Sequence, residues 1–111
     1  MGKKGLLMHN MDLDITEEKA QEGVRLIIKG RIDSNNASIL EQKLEDALNK
    51  GEKHIILNMS QVEHLRSVGI RIILKAYKNA REAGGKVGIE QPSKNVKKVL
   101  AITSLEEMLI L

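Results

Sequence analysis

The hydrophobic residues of this chain change period several times, and that alternation restricts the fold more than any other feature. Met11, Leu13 and Ile15 alternate with Asp12, Asp14 and Thr16, a period of two that marks a strand with one wet face. Val24, Leu26 and Ile28 repeat the pattern after a polar turn ending in Gly23, so the two strands form a hairpin. Ala37, Leu40, Leu44, Ala47 and Leu48 then recur at helical spacing, with Glu41, Gln42, Lys43, Glu45 and Asp46 on the other side. This amphipathic helix stops near Lys50-Gly51.

Within His54–Met59, Ile55-Ile56-Leu57 is a continuous apolar run, which predicts a strand buried on both faces. Ser60 to Arg66 reads as a loop. A long helix follows from Ser67 to Ala83 and closes at Gly84-Gly85. Its apolar residues make two stripes: Ile72, Ile73, Ala76, Ala80 and Ala83 face the core, and Ile70, Leu74 and Tyr77 extend that core or form a docking surface. Val87 and Ile89 predict another strand. Pro92-Ser93 starts a third helix, with Val96, Val99, Leu100 and Ile102 inward. Thr103 and Ser104 stand at capping-box spacing from Glu106 and Glu107, and Met108 to Leu111 is a last apolar piece for the sheet.

The order is therefore β-β-α-β-α-β-α plus a short terminal element. It implies an α/β fold with a mostly parallel, mixed four-stranded sheet, the first strand at an edge. The 111 residues suffice for one domain, read as residues 11–111, with residues 1–10 as a flexible N-terminal extension.

Composition removes several functions. With one tyrosine, Tyr77, and no Phe or Trp, the chain lacks the stacking platforms of single-stranded nucleic acid binders. The net charge of +3 comes from scattered basic residues, densest at Lys94, Lys97 and Lys98, which is too few for direct nucleic acid binding. The absence of cysteine fits a reducing compartment, and no apolar run approaches a membrane span; a cytoplasmic location is expected.

His9, His54 and His64 have no ligand partner at helical spacing, so no metal is expected. Gly84-Gly85-Lys86 lacks the upstream glycine of a phosphate loop, has Val87 where a hydroxyl belongs, and leaves a helix instead of entering one. Ser60 and Ser67 have no convincing base, and no enzyme activity or cofactor is expected.

The informative segment is His64-Leu65-Arg66-Ser67-Val68-Gly69-Ile70-Arg71. Ser67 opens the long helix directly after a buried strand, at the carboxyl end of the sheet where open α/β folds place functional groups. Free backbone N–H groups there cap well and receive phosphate well, so the hydroxyl can be an N-cap and a phosphoacceptor at once.

Over Met11 to Leu111 the chain resembles a STAS domain of the anti-sigma factor antagonist family. That family has Leu-Asp-Leu-Ser, a short loop, Asp-Ser-Ser-Gly-Leu-Gly, and a helix ending in Gly-Gly. Here the matching residues are Leu57-Asn58-Met59-Ser60, Arg66-Ser67-Val68-Gly69-Ile70-Arg71, and a helix ending at Gly84-Gly85. Gly30-Arg31-Ile32-Asp33 matches the earlier Gly-x-Leu-Asp element, and Gln91-Pro92-Ser93 with Val96 to Leu100 matches the late turn and helix.

The resemblance implies a partner, an anti-sigma factor that is also a serine kinase, with Ser67 as the phosphorylation site. It also implies a partner surface at Asp33, Ser34, Asn35, Arg66, Val68, Gly69 and Ile70, with Gly69 keeping the helix start open to close approach. A weak homodimer is compatible with it. The chain departs from the pattern at Asn58, Arg66, Val68 and Arg71; Arg66 reverses the charge of the family's acidic residue. These departures leave an alternative, a non-switching STAS scaffold in a stress-signalling or lipid-transport complex.

Overall fold

The computed structural model describes residues 12–111. The expected extension over residues 1–10, and the place of Met11 in the first strand, lie outside them. Strands β1 (Leu13–Ala20) and β2 (Gly23–Ile32) are followed by helix α1 (Ala37–Asn49), strand β3 (His54–Leu65) and helix α2 (Ser67–Glu82). Strand β4 (Lys86–Glu90), helix α3 (Lys94–Ile102) and the single turn α4 (Glu106–Leu109) complete the order.

The sheet runs β1-β2-β3-β4. β1 is an antiparallel edge strand on β2, with Leu13 opposite Gly30 and Ala20 opposite Gly23. β2, β3 and β4 are mutually parallel, as helical crossovers require. Gly30 has φ of 110°, and a Cβ there would run into the Asp12 carbonyl oxygen, so only glycine fits opposite Leu13, where β1 enters the sheet at the end away from the hairpin turn.

One face of the sheet carries the core. Leu13 and Ile15, Val24, Leu26 and Ile28, Ile55, Leu57 and Met59, and Val87 and Ile89 are all buried. Leu40, Leu44 and Ala47 of α1, Ile73, Ala76 and Ala80 of α2, and Val96 and Leu100 of α3 complete it. Ile70 is buried, and Leu74 and Tyr77 are half-buried against the core, so the second stripe of α2 extends the core.

Four expectations need correction. Ile56 is only half-buried: it lies on the opposite face between Arg25 and Gly88, so this strand is not closed on both sides. Ala83, assigned to the core stripe, is exposed beyond the last turn of α2. Ile102 is 76% exposed because, at about 3.6 residues per turn, it points away from the side of α3 that buries Val96 and Leu100. No capping box forms at α4; its N-cap is Leu105, and the Thr103 hydroxyl donates back to the Val99 carbonyl at 2.9 Å.

The largest difference lies in β3. Residues 60–65, expected as loop, continue the strand. β2 and β3 shift register between Ile27 and Lys29 and again between Gly30 and Arg31, where β3 carries the extra residues. The two bulges leave Met59, Val62 and Leu65 buried three residues apart, with exposed residues between them. Period two is therefore lost while pairing is kept.

Candidate functional site

β2 and β3 end side by side, with Ile32 paired to Leu65. Adjacent strands lie about 4.8 Å apart, so the chain leaving each strand emerges at the same place. From β2 comes the turn Asp33–Asn36; from β3 comes Arg66 and the start of α2. The Arg66 N–H donates to the Ile32 carbonyl at 3.0 Å and fastens the two exits together.

The Asp33–Asn36 turn is held from within. Asn36 is 1% exposed; its side-chain amide donates to the Arg31 carbonyl at 2.8 Å and accepts from the Asp33 N–H at 3.0 Å. The Asp33 carboxylate accepts from the Asn35 N–H at 2.9 Å. Ser34 and Asn35 are therefore presented to solvent on a fixed turn, with Asp33 half-buried beside them. Asn36 was missed as the positioning residue. Its one local sign is an amide immediately before a helix.

Ser67 is exposed. The helix begins one residue earlier than capping by Ser67 would require: the Arg66 carbonyl accepts from the N–H groups of Gly69 at 2.9 Å and Ile70 at 3.2 Å. Arg66 is thus the N-cap, with extended backbone, and no side chain caps α2. Ser67 occupies the first helical position, and its hydroxyl forms no hydrogen bond among the described residues. The expected capping role is corrected; the solvent-facing hydroxyl at the helix start stands.

Of the other residues expected at the partner surface, Arg66 is exposed and Val68 half-buried. Gly69 and Ile70 lie beneath the surface. A Cβ on Gly69 would come within 2.7 Å of Ile32 Cγ2 and 2.8 Å of Leu65 Cδ1. This glycine lets α2 approach the strand ends; it does not open the helix to a partner.

Asn58 belongs to a separate network on the exposed face of the sheet. Its side-chain amide donates to Glu90 at 2.9 Å, and the Arg25 guanidinium donates to the same carboxylate at 2.8 Å. The hydrogen bond from Asn58, then the hydrogen bond and charge of Arg25, hold Glu90 below the usual carboxylate range against the opposing effect of burial. A carboxylate at position 58 would face another carboxylate, so the departure at Asn58 is answered within the chain by Glu90. Arg25 and Glu90 are 65 residues apart, and no local pattern announces them.

The family model for the STAS domain matches residues 16–111. The chain belongs to the STAS family. BtrV of Bordetella bronchiseptica is 25% identical over 91 residues, covering 82% of this chain and 78% of BtrV. The anti-sigma-B factor antagonist of Bacillus subtilis is 21% identical over 99 residues, covering 89% of this chain and 90% of its own length. The solved structure of the anti-sigma factor antagonist SpoIIAA in its unphosphorylated form superposes with a TM-score of 0.76 at 19% identity, over 86% of this chain and 85% of SpoIIAA. Its phosphorylated form gives 0.69 at 20% identity, over 86% and 88%. The four-stranded mixed sheet and the element order are those of this STAS fold. Among the described residues no helix is long and apolar enough to cross a membrane.

Proposed function

We propose that this STAS domain is an anti-sigma factor antagonist: a cytoplasmic binding protein, not an enzyme, that controls transcription by sequestering an anti-sigma factor. The partner carries serine kinase activity, and Ser67 is the acceptor. The γ-phosphoryl group of ATP passes to Ser67 Oγ, the hydroxyl proton leaves to a base of the kinase, and ADP departs. The phosphate adds about −1.5 to −2 charges at the docking surface, and the complex breaks.

The observation that carries this reading is the exposed hydroxyl of Ser67 where β3 passes into α2, without a hydrogen bond among the described residues. The fixed turn at Ser34 and Asn35 beside it supplies a rigid neighbouring surface. Support also comes from relatives named for anti-sigma factor antagonism and from SpoIIAA, known in both phosphorylation states.

The test is intact-mass measurement after incubation with an anti-sigma factor kinase and ATP. One phosphate is expected on the native chain and none on Ser67→Ala. No phosphate, under conditions that modify a relative with an intact Asp-Ser motif, overturns the switch. The exposed Arg66 in place of an acidic residue favours a second reading, a scaffold without a switch. Equal partner binding by Ser67→Asp and Ser67→Ala would select it.

A further inference from the structure

From Arg66 through Arg81 the chain carries Arg66, Arg71, Lys75, Lys78 and Arg81 and no acidic residue before Glu82. All five cations are exposed. Among the described residues, Lys75 alone of the five has an ion pair, to Glu41 at 3.6 Å. By contrast Arg25 is paired with Glu18 and Glu90, and Arg31 with Asp12. Helices normally alternate charge sign so that residues four apart support each other. α2 does not, and two of its unpaired cations flank its start, the end where a positive charge is least favourable.

Ser67 and Arg71 are four residues apart and share one helix face, with their Cβ atoms about 5–6 Å apart. Arg66 adjoins Ser67 on the other side. The acidic groups on neighbouring elements are otherwise placed: Asp12 is paired with Arg31, Asp33 lies in its own turn, and neither Asp33 nor Glu63 forms an ion pair among the described residues.

We propose that the exposed face of α2 beginning at Ser67 docks an acidic segment of the partner protein, with Arg66 and Arg71 as its charged anchors, and that a phosphate on Ser67 closes the face by occupying those two guanidiniums. The proposal rests on Ser67 being the modified residue. It differs from simple repulsion: the modified chain neutralises its own docking charges. A protein segment is favoured over single-stranded nucleic acid because Tyr77, the only aromatic of the chain, is half-buried against the core and leaves this face without a stacking platform.

The test titrates a short polyglutamate peptide into the isotope-labelled chain at low salt and follows backbone amide shifts. Shifts are expected at residues 66–71, with affinity reduced roughly fivefold or more in the double variant Arg66→Gln/Arg71→Gln. The same loss is expected in a chain with phosphoserine inserted at position 67 during translation. Lys97→Gln/Lys98→Gln should leave binding unchanged. Shifts centred on α3, full binding by the arginine variant, full binding by the phosphoserine chain, or equal binding of duplex DNA at this face would each overturn the proposal. Because the phosphoserine is built in, the result does not depend on any kinase. A chain that passes here yet resists phosphorylation loses the switch and keeps the docking face.

Discussion

Two helices of this domain start with a serine nearby, and the two starts are built differently. At α3, Ser93 is the N-cap: its hydroxyl accepts from the Val96 N–H at 3.2 Å and donates to the Val62 carbonyl at 2.6 Å, which binds the helix to β3. At α2, Ser67 bonds to nothing among the described residues. The start of α2 is fixed by backbone and packing, through the Arg66 N–H on Ile32 and the close seat of Gly69 on Ile32 and Leu65. The fold thus uses one hydroxyl for stability and leaves the other available for chemistry.

Substitution at Gly69 should show the packing half of this comparison most strongly. Gly69→Val forces a side chain into the seat occupied by Ile32 and Leu65, and should cost about 2–3 kcal/mol by chemical denaturation. A variant as stable as the native chain would mean that α2 is not held this way.

Ser93→Ala comes next. It removes a cap and leaves the Val62 carbonyl short of a donor, so a loss of about 1.5 kcal/mol is expected in the same measurement.

The charged groups divide as the serines do. Glu90 is engaged inside the chain by Asn58 and Arg25, whereas the Arg66 side chain has no ion pair or hydrogen bond among the described residues. Asn58→Asp replaces a donor with a second carboxylate and should destabilise by about 1 kcal/mol at neutral pH, kept to that size by partial exposure of the site. The sign depends on pH. In the native chain folding lowers the Glu90 pKa, so its contribution is complete above the unfolded value of about 4.3 and is lost as pH falls through the folded one. In the variant the two carboxylates repel only while both are ionised. The gap between the two chains should therefore narrow as pH falls toward about 4, and a gap constant with pH would sink this account.

These contrasts were unevenly legible in the sequence. The element order, the hairpin, the core stripes and the position of Ser67 at a helix start followed from period and spacing, because those are local. The continuation of β3 did not, because two bulges turn alternation into a spacing of three at Met59, Val62 and Leu65, and the polar residues between them resemble a loop. The cap at α2 was misplaced by one residue, since a serine before an apolar run reads as an N-cap and only backbone geometry shows that Arg66 fills that role. Gly69 looked like an opening because its two neighbours, Ile32 and Leu65, come from different strands.

The smallest expected effect sharpens the comparison furthest. Ser67→Ala should change stability by less than about 0.5 kcal/mol, well under the cost of Ser93→Ala, since it removes no side-chain hydrogen bond among the described residues. The pair of alanine variants, measured side by side in denaturant, is the readout. A hydroxyl that the fold does not need can be modified without unfolding the domain, and the modified and unmodified chains then differ only in what they present to a partner. If Ser67→Ala instead cost as much as Ser93→Ala, the hydroxyl would be part of the scaffold. A phosphate could then be added only by disturbing the helix that displays it, and the switch would act through the stability of α2 instead of its surface.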